Sequence, residues 1–388
     1  MSGSFDRVRV AQLSAAHLAH DVYPAFLGVL LPLLIDELGL SLAAAGILAS
    51  TLRWTTSLQP FLGHLADRTD TRNWVIYAPA VTAACMSLVG VAPNATTVVI
   101  LLLLTGVSHA AFHPSGGALV TRVSGDEWGR GTAWFMTGGE IGRVIGPIFI
   151  AAVIALGGLR LSPVAVLPGI LTTVLLYKAL RHAPALYASA KGRANVREAL
   201  QNGRRPVLML SAAIFLRSSA NVTVVIFYPT LVTASGGSLL RAGVGVGLYE
   251  VGAVVGAFIG GVLSDRLGRN KMMLAGALLG APPIAAALYL GATPLGFVLL
   301  VVGGFGWLSA TSIELVTMQE LLPDNRSTAV GITYFVKAAG AIVATIMIGV
   351  AADVIGLLPA LTIAMAVGLV CVPFLLFTRD PKRDYINE

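Results

Sequence analysis

Charge is what this chain has least of: charged residues make up 12% of its 388 positions, against about 25% in a typical soluble domain. So little polar surface cannot cover the cores that a soluble chain of this length would build, which excludes a soluble enzyme or binding module. Cysteine is nearly absent as well. Cys85 and Cys371 fall in apolar runs of opposite halves, so no disulfide framework is implied. No cleavable signal pattern opens the chain, and its first apolar run is too long for a signal core; it reads as a retained span. Strand-period alternation is missing, which argues against a β-barrel. Also missing are Gly-x-Ser-x-Gly, His-Glu-x-x-His and a phosphate-cradling glycine loop, and with them the grounds for a membrane enzyme. No large polar loop suggests an adaptor. What is present in quantity is apolar, with 56% of residues hydrophobic and 43 glycines and a mean hydropathy of +0.82. These features describe a polytopic membrane protein whose helices pack closely through small residues.

Apolar windows of about 20 residues mark membrane spans. They predict twelve, near 10–36, 42–65, 73–92, 95–119, 131–157, 161–180, 206–233, 240–263, 272–291, 294–319, 328–351 and 357–377. The expected fold is an all-α bundle of twelve transmembrane helices in two six-helix halves, 1–181 and 206–388, joined by a polar linker at 182–205. An even number of spans puts both termini on one side. That side holds Arg7, Arg9, Arg68, Arg72, Arg122, Arg130, the basic linker, Arg266, Arg269, Lys271, Arg326, Arg379, Lys382 and Arg383. The other side holds only Arg160 and Arg241. This asymmetry predicts cytoplasmic termini in a cell membrane. It also explains the net charge of +7 without a nucleic-acid partner.

The halves resemble each other at an offset of about 197: Leu13-Ser14-Ala15-Ala16 recurs as Leu210-Ser211-Ala212-Ala213, and Pro32 falls opposite Pro229. Gly63-His64-Leu65-Ala66-Asp67-Arg68 likewise matches Gly261-Val262-Leu263-Ser264-Asp265-Arg266. Two parallel six-span repeats suit a transporter whose halves rock around a midplane site. The two Gly-x-Leu-(Ala/Ser)-Asp-Arg stretches, each between the second and third spans of a half, resemble motif A of the major facilitator superfamily. The resemblance implies that Gly63, Asp67, Arg68, Gly261, Asp265, Arg266 and Arg269 form latches that hold neighbouring helices in the outward-facing state. The first copy departs from the pattern, with Asp70 where glycine is usual. Gly138, Gly142, Gly146 and Pro147 in span five resemble motif C of the antiporter branch. Ordinary packing of small residues explains the same spacing, as Gly252, Gly256 and Gly260 in span eight illustrate. His17-x-x-x-Asp21, Gln59-Pro60 and Ala111-Phe112-His113-Pro114 resemble the fosmidomycin-resistance family of drug exporters. His20, Arg53, Glu140 and Arg143 depart from that pattern.

Ionisable groups at bilayer depth are costly, so each is a functional candidate. They are His17, His20 and Asp21 in span one, Arg53 in span two, and His109 and His113 in span four. Span five adds Glu140 and Arg143, span seven Arg217, span eight Glu250, span ten Glu314 and span eleven Lys337. Spans three, nine and twelve have none. The superfamily resemblance implies that spans one, four, seven and ten line the cavity and that two, five, eight and eleven flank it. The charges follow that division.

Asp21 is the first proton carrier expected, because it shares a helix face with His17 and a buried carboxyl can alternate between charged and neutral forms. Glu314 is the second. Glu140 and Glu250 are further acids, although Glu140 can simply neutralise Arg143 three residues on and Glu250 can serve as a counter-ion. Arg217 aligns with His20 in the repeat, and with Arg53 and Lys337 it suggests an anionic or zwitterionic cargo; the alternative is that these cations only balance the four acids. Tyr23 is a candidate for stacking on cargo, or an interface anchor. His109 and His113 lie one turn apart and with His20, His17 and Asp21 form either a proton relay or a divalent-metal site. Spacing alone assigns no metal, and His113 before Pro114 reads as a bend whose ring bonds a freed carbonyl. The expected activity is proton-coupled export of drug-like or anionic small molecules by alternating access, with the proton gradient as energy source and no cofactor. Alternatives are an organic-anion or phosphorylated-metabolite carrier and a divalent-metal transporter. The partners expected are a small molecule and the lipid bilayer, with the chain working as a monomer.

Overall fold

A computed structural model of the chain describes residues 5–66, 69–181, 204–323 and 326–376. All regular structure among them is helical, as a bilayer demands: backbone N–H and C=O groups without water must pair within the span. The first half contains α1 (Arg7–Asp21), α2 (Phe26–Leu38), α3 (Leu42–Thr56), α4 (Gln59–Ala66), α5 (Arg72–Leu88), α6 (Ala95–Val123), α7 (Trp128–Gly157) and α8 (Leu167–Leu180). The second contains α9 (Arg204–Ala234), α10 (Leu239–Leu267), α11 (Arg269–Leu290), α12 (Pro294–Leu308), α13 (Ala310–Leu321), α14 (Arg326–Ile355), α15 (Leu357–Leu369) and α16 (Cys371–Leu376).

Among the described residues, eleven helical segments are long and apolar enough to cross a membrane. The expected span at 42–65 is instead two shorter helices, α3 and α4. The sequence supplies a reason, since a proline at position 60 lacks the N–H that would bond the carbonyl of Thr56, where α3 ends. Span one is divided in the same way: Pro24 crowds the carbonyl of His20, and α1 stops at Asp21. Span ten breaks at Ser309 between α12 and α13. Side-chain caps start several helices. Asp6 accepts from Arg9 N at 3.0 Å, Asn94 from Thr97 N at 2.9 Å, and Thr293 from Gly296 N at 3.1 Å.

The chain gathers into two units, one of Met1–Gly39 with Thr51–Lys191, the other of Leu40–Ser50 with Gly192–Glu388. In the first, α1 is buried among α5, α6, α7 and α8 around Leu13, Ile76, Phe112, Val120 and Phe135. In the second, the start of α3 lies against α14. There the Asp353 carboxylate accepts from Leu42 N and Ala43 N at 2.9 Å each, capping two of the N–H groups that a helix start leaves unpaired.

Candidate functional site

In the first unit the break after Asp21 puts three ionisable side chains in the last turn and a half of α1, where the helix dipole favours positive charge. His17, His20 and Asp21 are all buried. His109 and His113 come one turn apart from α6 to meet them, and the five residues form one cluster. Nδ1 of His17 lies 2.7 Å from the carbonyl oxygen of Phe135. A carbonyl only accepts, so that nitrogen carries a hydrogen. The other ring nitrogen, Nε2, faces Asp21 Oδ2 at 3.3 Å. The two atoms stand at ion-pair distance, and Nε2 makes no hydrogen bond. On the opposite side Asp21 Oδ1 lies 3.4 Å from His113 Nε2 and 3.9 Å from His109 Nδ1. The two histidine nitrogens are 3.2 Å apart. His113 therefore turns to His109 and Asp21, not to a carbonyl freed by Pro114, which corrects the expectation from sequence; α6 runs through Pro114 without a break. Aromatic walls close the cluster: His17 stacks on Phe135 at 4.1 Å and His20 on Phe112 at 4.2 Å between ring centres.

The glycines of span five explain how α1 is held there. A side-chain carbon at Gly138, Gly142 or Gly146 would run into the carbonyl oxygens of Ser14, Leu18 and Val22 respectively. Rows of spacing four on both helices interlock, so the backbones touch. Gly139 beside them leaves room for the His17 ring, whose Nε2 would lie 2.5 Å from an added carbon. Gly252, Gly256 and Gly260 of α10 meet Val301, Phe305 and Ser309 in the same register, so the small-residue row is a packing device in both units. At Gly142 an added methyl would lie 2.5 Å from Leu18 O and 3.2 Å from Asp21 Cβ. Gly142→Ala is therefore expected to cost about 1–3 kcal/mol through overpacking. Gly129→Ala, with nothing within 4 Å of the new methyl, should be neutral or stabilising. Thermal unfolding of the purified variants in detergent checks the contrast.

The second unit carries a different cluster. Arg217 of α9 and Glu314 of α13 are each 3% exposed. Arg217 Nε donates to Glu314 Oε1 at 2.9 Å, and Lys337 Nζ of α14 reaches Glu314 Oε2 at 3.1 Å. The guanidinium also donates through Nη2 to the carbonyl of Trp307 and lies 4.7 Å from that ring's centre. Trp307 Nε1 returns a hydrogen bond to the Arg217 carbonyl at 3.2 Å. Arg217 Nη1 is buried and has no hydrogen-bond partner. One acid thus serves two cations.

The remaining candidates separate. Glu140 and Arg143 pair with each other one turn apart on α7. Glu250 is buried on α10, whereas Arg53, exposed on α3, lies close enough to His109 for its charge to act on that ring. Tyr23 lies outside the histidine cluster: its hydroxyl donates to Ala165 O at 3.0 Å and accepts from Gly169 N at 2.8 Å, tying span one to span six. In the second Gly-x-Leu-Ser-Asp-Arg stretch, Gly268 has φ 97°, a conformation that favours glycine and turns the chain from α10 into α11. Arg269 then meets Asp265 Oδ1 at 2.9 Å, Glu320 Oε1 at 2.9 Å and Ser264 Oγ at 2.6 Å. Glu320 was not singled out from sequence; an acid just past the tenth apolar window was its only signal. Gly63 lies in α4, Gly261 and Arg266 in α10, and Asp67 and Arg68 lie outside the described residues.

An all-helical protein of repeated six-span halves, with ionisable groups buried or half-buried along the first and fourth spans of each, is built as a membrane transporter and not as an enzyme. The profile of the Major Facilitator Superfamily matches residues 15–345 and 210–387, and the chain belongs to that superfamily. It is 24% identical over 385 residues to the uncharacterized MFS-type transporter YfnC of Bacillus subtilis, covering 96% of this chain and 93% of that one. It is 28% identical over 352 residues to the fosmidomycin resistance protein of Escherichia coli, covering 89% and 85%. Its fold matches the crystal structure of a bacterial homolog of the human lysosomal transporter Spinster, in an inward-facing and unoccupied conformation, with a TM-score of 0.79 at 16% identity and 98% coverage of both chains.

Proposed function

We propose that the protein exports drug-like or anionic small molecules from the cytoplasm in exchange for protons, by alternating access in the cell membrane with both termini cytoplasmic. The observation that carries this reading is the buried Asp21 carboxyl at a broken helix end, with Oδ2 3.3 Å from His17 Nε2 and Oδ1 3.4 Å from His113 Nε2. A carrier must take up and release a proton as its site opens to each side, and a buried carboxyl among imidazoles is a group that can do so. The resistance named in the Escherichia coli relative supports the outward direction. Arg269, with Asp265 and Glu320, supplies the latch of the second half, and the proton gradient replaces any cofactor. A second reading, anion uptake or exchange, is favoured by one feature: the unpartnered buried Nη1 of Arg217.

Proteoliposomes loaded with a pH-sensitive dye distinguish the two. The probes are fosmidomycin, other phosphonates, organic acids and lipophilic cations. Export in exchange for protons predicts that at least one probe dissipates an imposed pH gradient, and that reversing the gradient reverses the probe's flux. Flux of a probe with no proton movement in either direction would reject the proton-coupled reading.

A further inference from the structure

His20 is fully buried, and neither of its ring nitrogens has a hydrogen-bond partner. Such orphaned polar atoms are costly in an apolar interior and call for an explanation. Asp21 Oδ1 has no hydrogen-bond partner either. Both residues face the histidine pair of α6. One donor atom each from His20, Asp21, His109 and His113 all lie within 4.8 Å of one another.

We propose that these four residues bind one divalent transition-metal ion of the zinc class. Three of the donors already form the face of a coordination tetrahedron. The separations are 3.2 Å for His109 Nδ1 to His113 Nε2, 3.4 Å for His113 Nε2 to Asp21 Oδ1 and 3.9 Å for His109 Nδ1 to Asp21 Oδ1. Metal–ligand bonds of about 2.0–2.1 Å place tetrahedral ligands roughly 3.3–3.4 Å apart. A His20 ring nitrogen supplies the fourth donor, within 4.8 Å of the other three. Three neutral imidazoles and one carboxylate form a donor set suited to zinc and its neighbours in the first transition row. Oδ2 of Asp21 stays with His17, whose other nitrogen is fixed on the Phe135 carbonyl at 2.7 Å. That is the outer support which orients a ligating carboxylate. The end of α1 adds its dipole, and the stacked Phe112 shields His20.

The inference goes beyond proton-coupled export but shares Asp21 with it: a metal-bound carboxylate stays charged, so Asp21 carries a proton only when the metal site is empty. It is tested without a gradient. The protein is purified in detergent, without a polyhistidine tag, and stripped with a chelator. It carries His64→Gln and His182→Gln to remove the two histidines outside the cluster. Titration with Co2+ should give one ion per chain with the visible spectrum of a four-coordinate nitrogen and oxygen site, displaced by Zn2+. His20→Ala, and His109→Ala with His113→Ala, should each weaken binding by more than the roughly 10–100-fold that follows loss of an outer-shell partner alone. Thermal unfolding of the metal-free variants confirms that they are folded. A six-coordinate aquo-ion spectrum, no stoichiometric binding, or unchanged affinity in folded variants overturns the proposal. None of those results touches proton-coupled export, and failure of export would leave a measured metal stoichiometry standing.

Discussion

Export driven by a pH gradient is expected to fall to background in proteoliposomes when Asp21 is replaced by Asn, while the cargo still binds and still exchanges for itself. The amide keeps the size of the carboxyl and fills the same space at the end of α1. It cannot carry a charge, so it cannot alternate between the two forms that a proton carrier needs. His17 keeps its place, because its ring is fixed by the Phe135 carbonyl and by stacking on Phe135. The variant should therefore be folded and loaded, yet unable to use the gradient. Counterflow of labelled cargo measured beside pH-driven uptake separates loss of coupling from loss of binding. Undiminished pH-driven export in Asp21→Asn would remove this residue from the mechanism.

Glu314→Gln is expected to be the most destabilising single change among the ionisable positions, by about 3–5 kcal/mol, because it leaves buried charge without its partner. Arg217 and Glu314 side chains are each 4% exposed, and Lys337 is 23% exposed. Removing the glutamate strips a counter-ion from both cations. Lys337→Met removes only the more solvated of the pairs, and leaves Arg217 with Glu314; its expected cost is below about 1 kcal/mol. The double variant Arg217→Met, Glu314→Met should recover most of the loss, since apolar replacements of a whole buried pair are close to neutral. Thermal unfolding of the three proteins in one detergent measures the ranking. Equal costs for the Glu314 and Lys337 variants would mean that the triad is not the buried unit described above.

The spans were legible in the sequence because a bilayer leaves a window of about 20 apolar residues as an unmistakable signal. Their interruptions were not. Pro32, Pro79, Pro114, Pro147 and Pro229 all sit inside continuous helices, whereas Pro24 and Pro60 accompany breaks. Proline frees the same carbonyl in every case, and whether neighbouring helices satisfy it is a matter of tertiary packing. Ionisable residues were equally easy to find, and their partners were hard to name. His17 with Asp21 followed from helical spacing. His113 with Asp21 did not, since nothing local says that α6 meets the broken end of α1. Glu314 carried no hint that it serves both Arg217 and Lys337. Tyr23 looked like an aromatic of the cavity because its fixed partners, Ala165 and Gly169, lie more than a hundred residues away.

In mechanical terms the two glycine rows are welds. Helices in backbone contact have no side chains to re-pack, so α1 with α7, and α10 with α12, have little freedom to slide. The last contact of the first weld is Gly146 on Val22, and the chain breaks at once, between α1 and α2. The last contact of the second is Gly260 on Ser309, which is itself the break between α12 and α13. In each unit a stiff strut therefore ends at a hinge, and bending is expected just beyond the weld. His17, His20 and Asp21 lie on the stiff side of the first hinge, whereas Glu314 lies on the far side of the second.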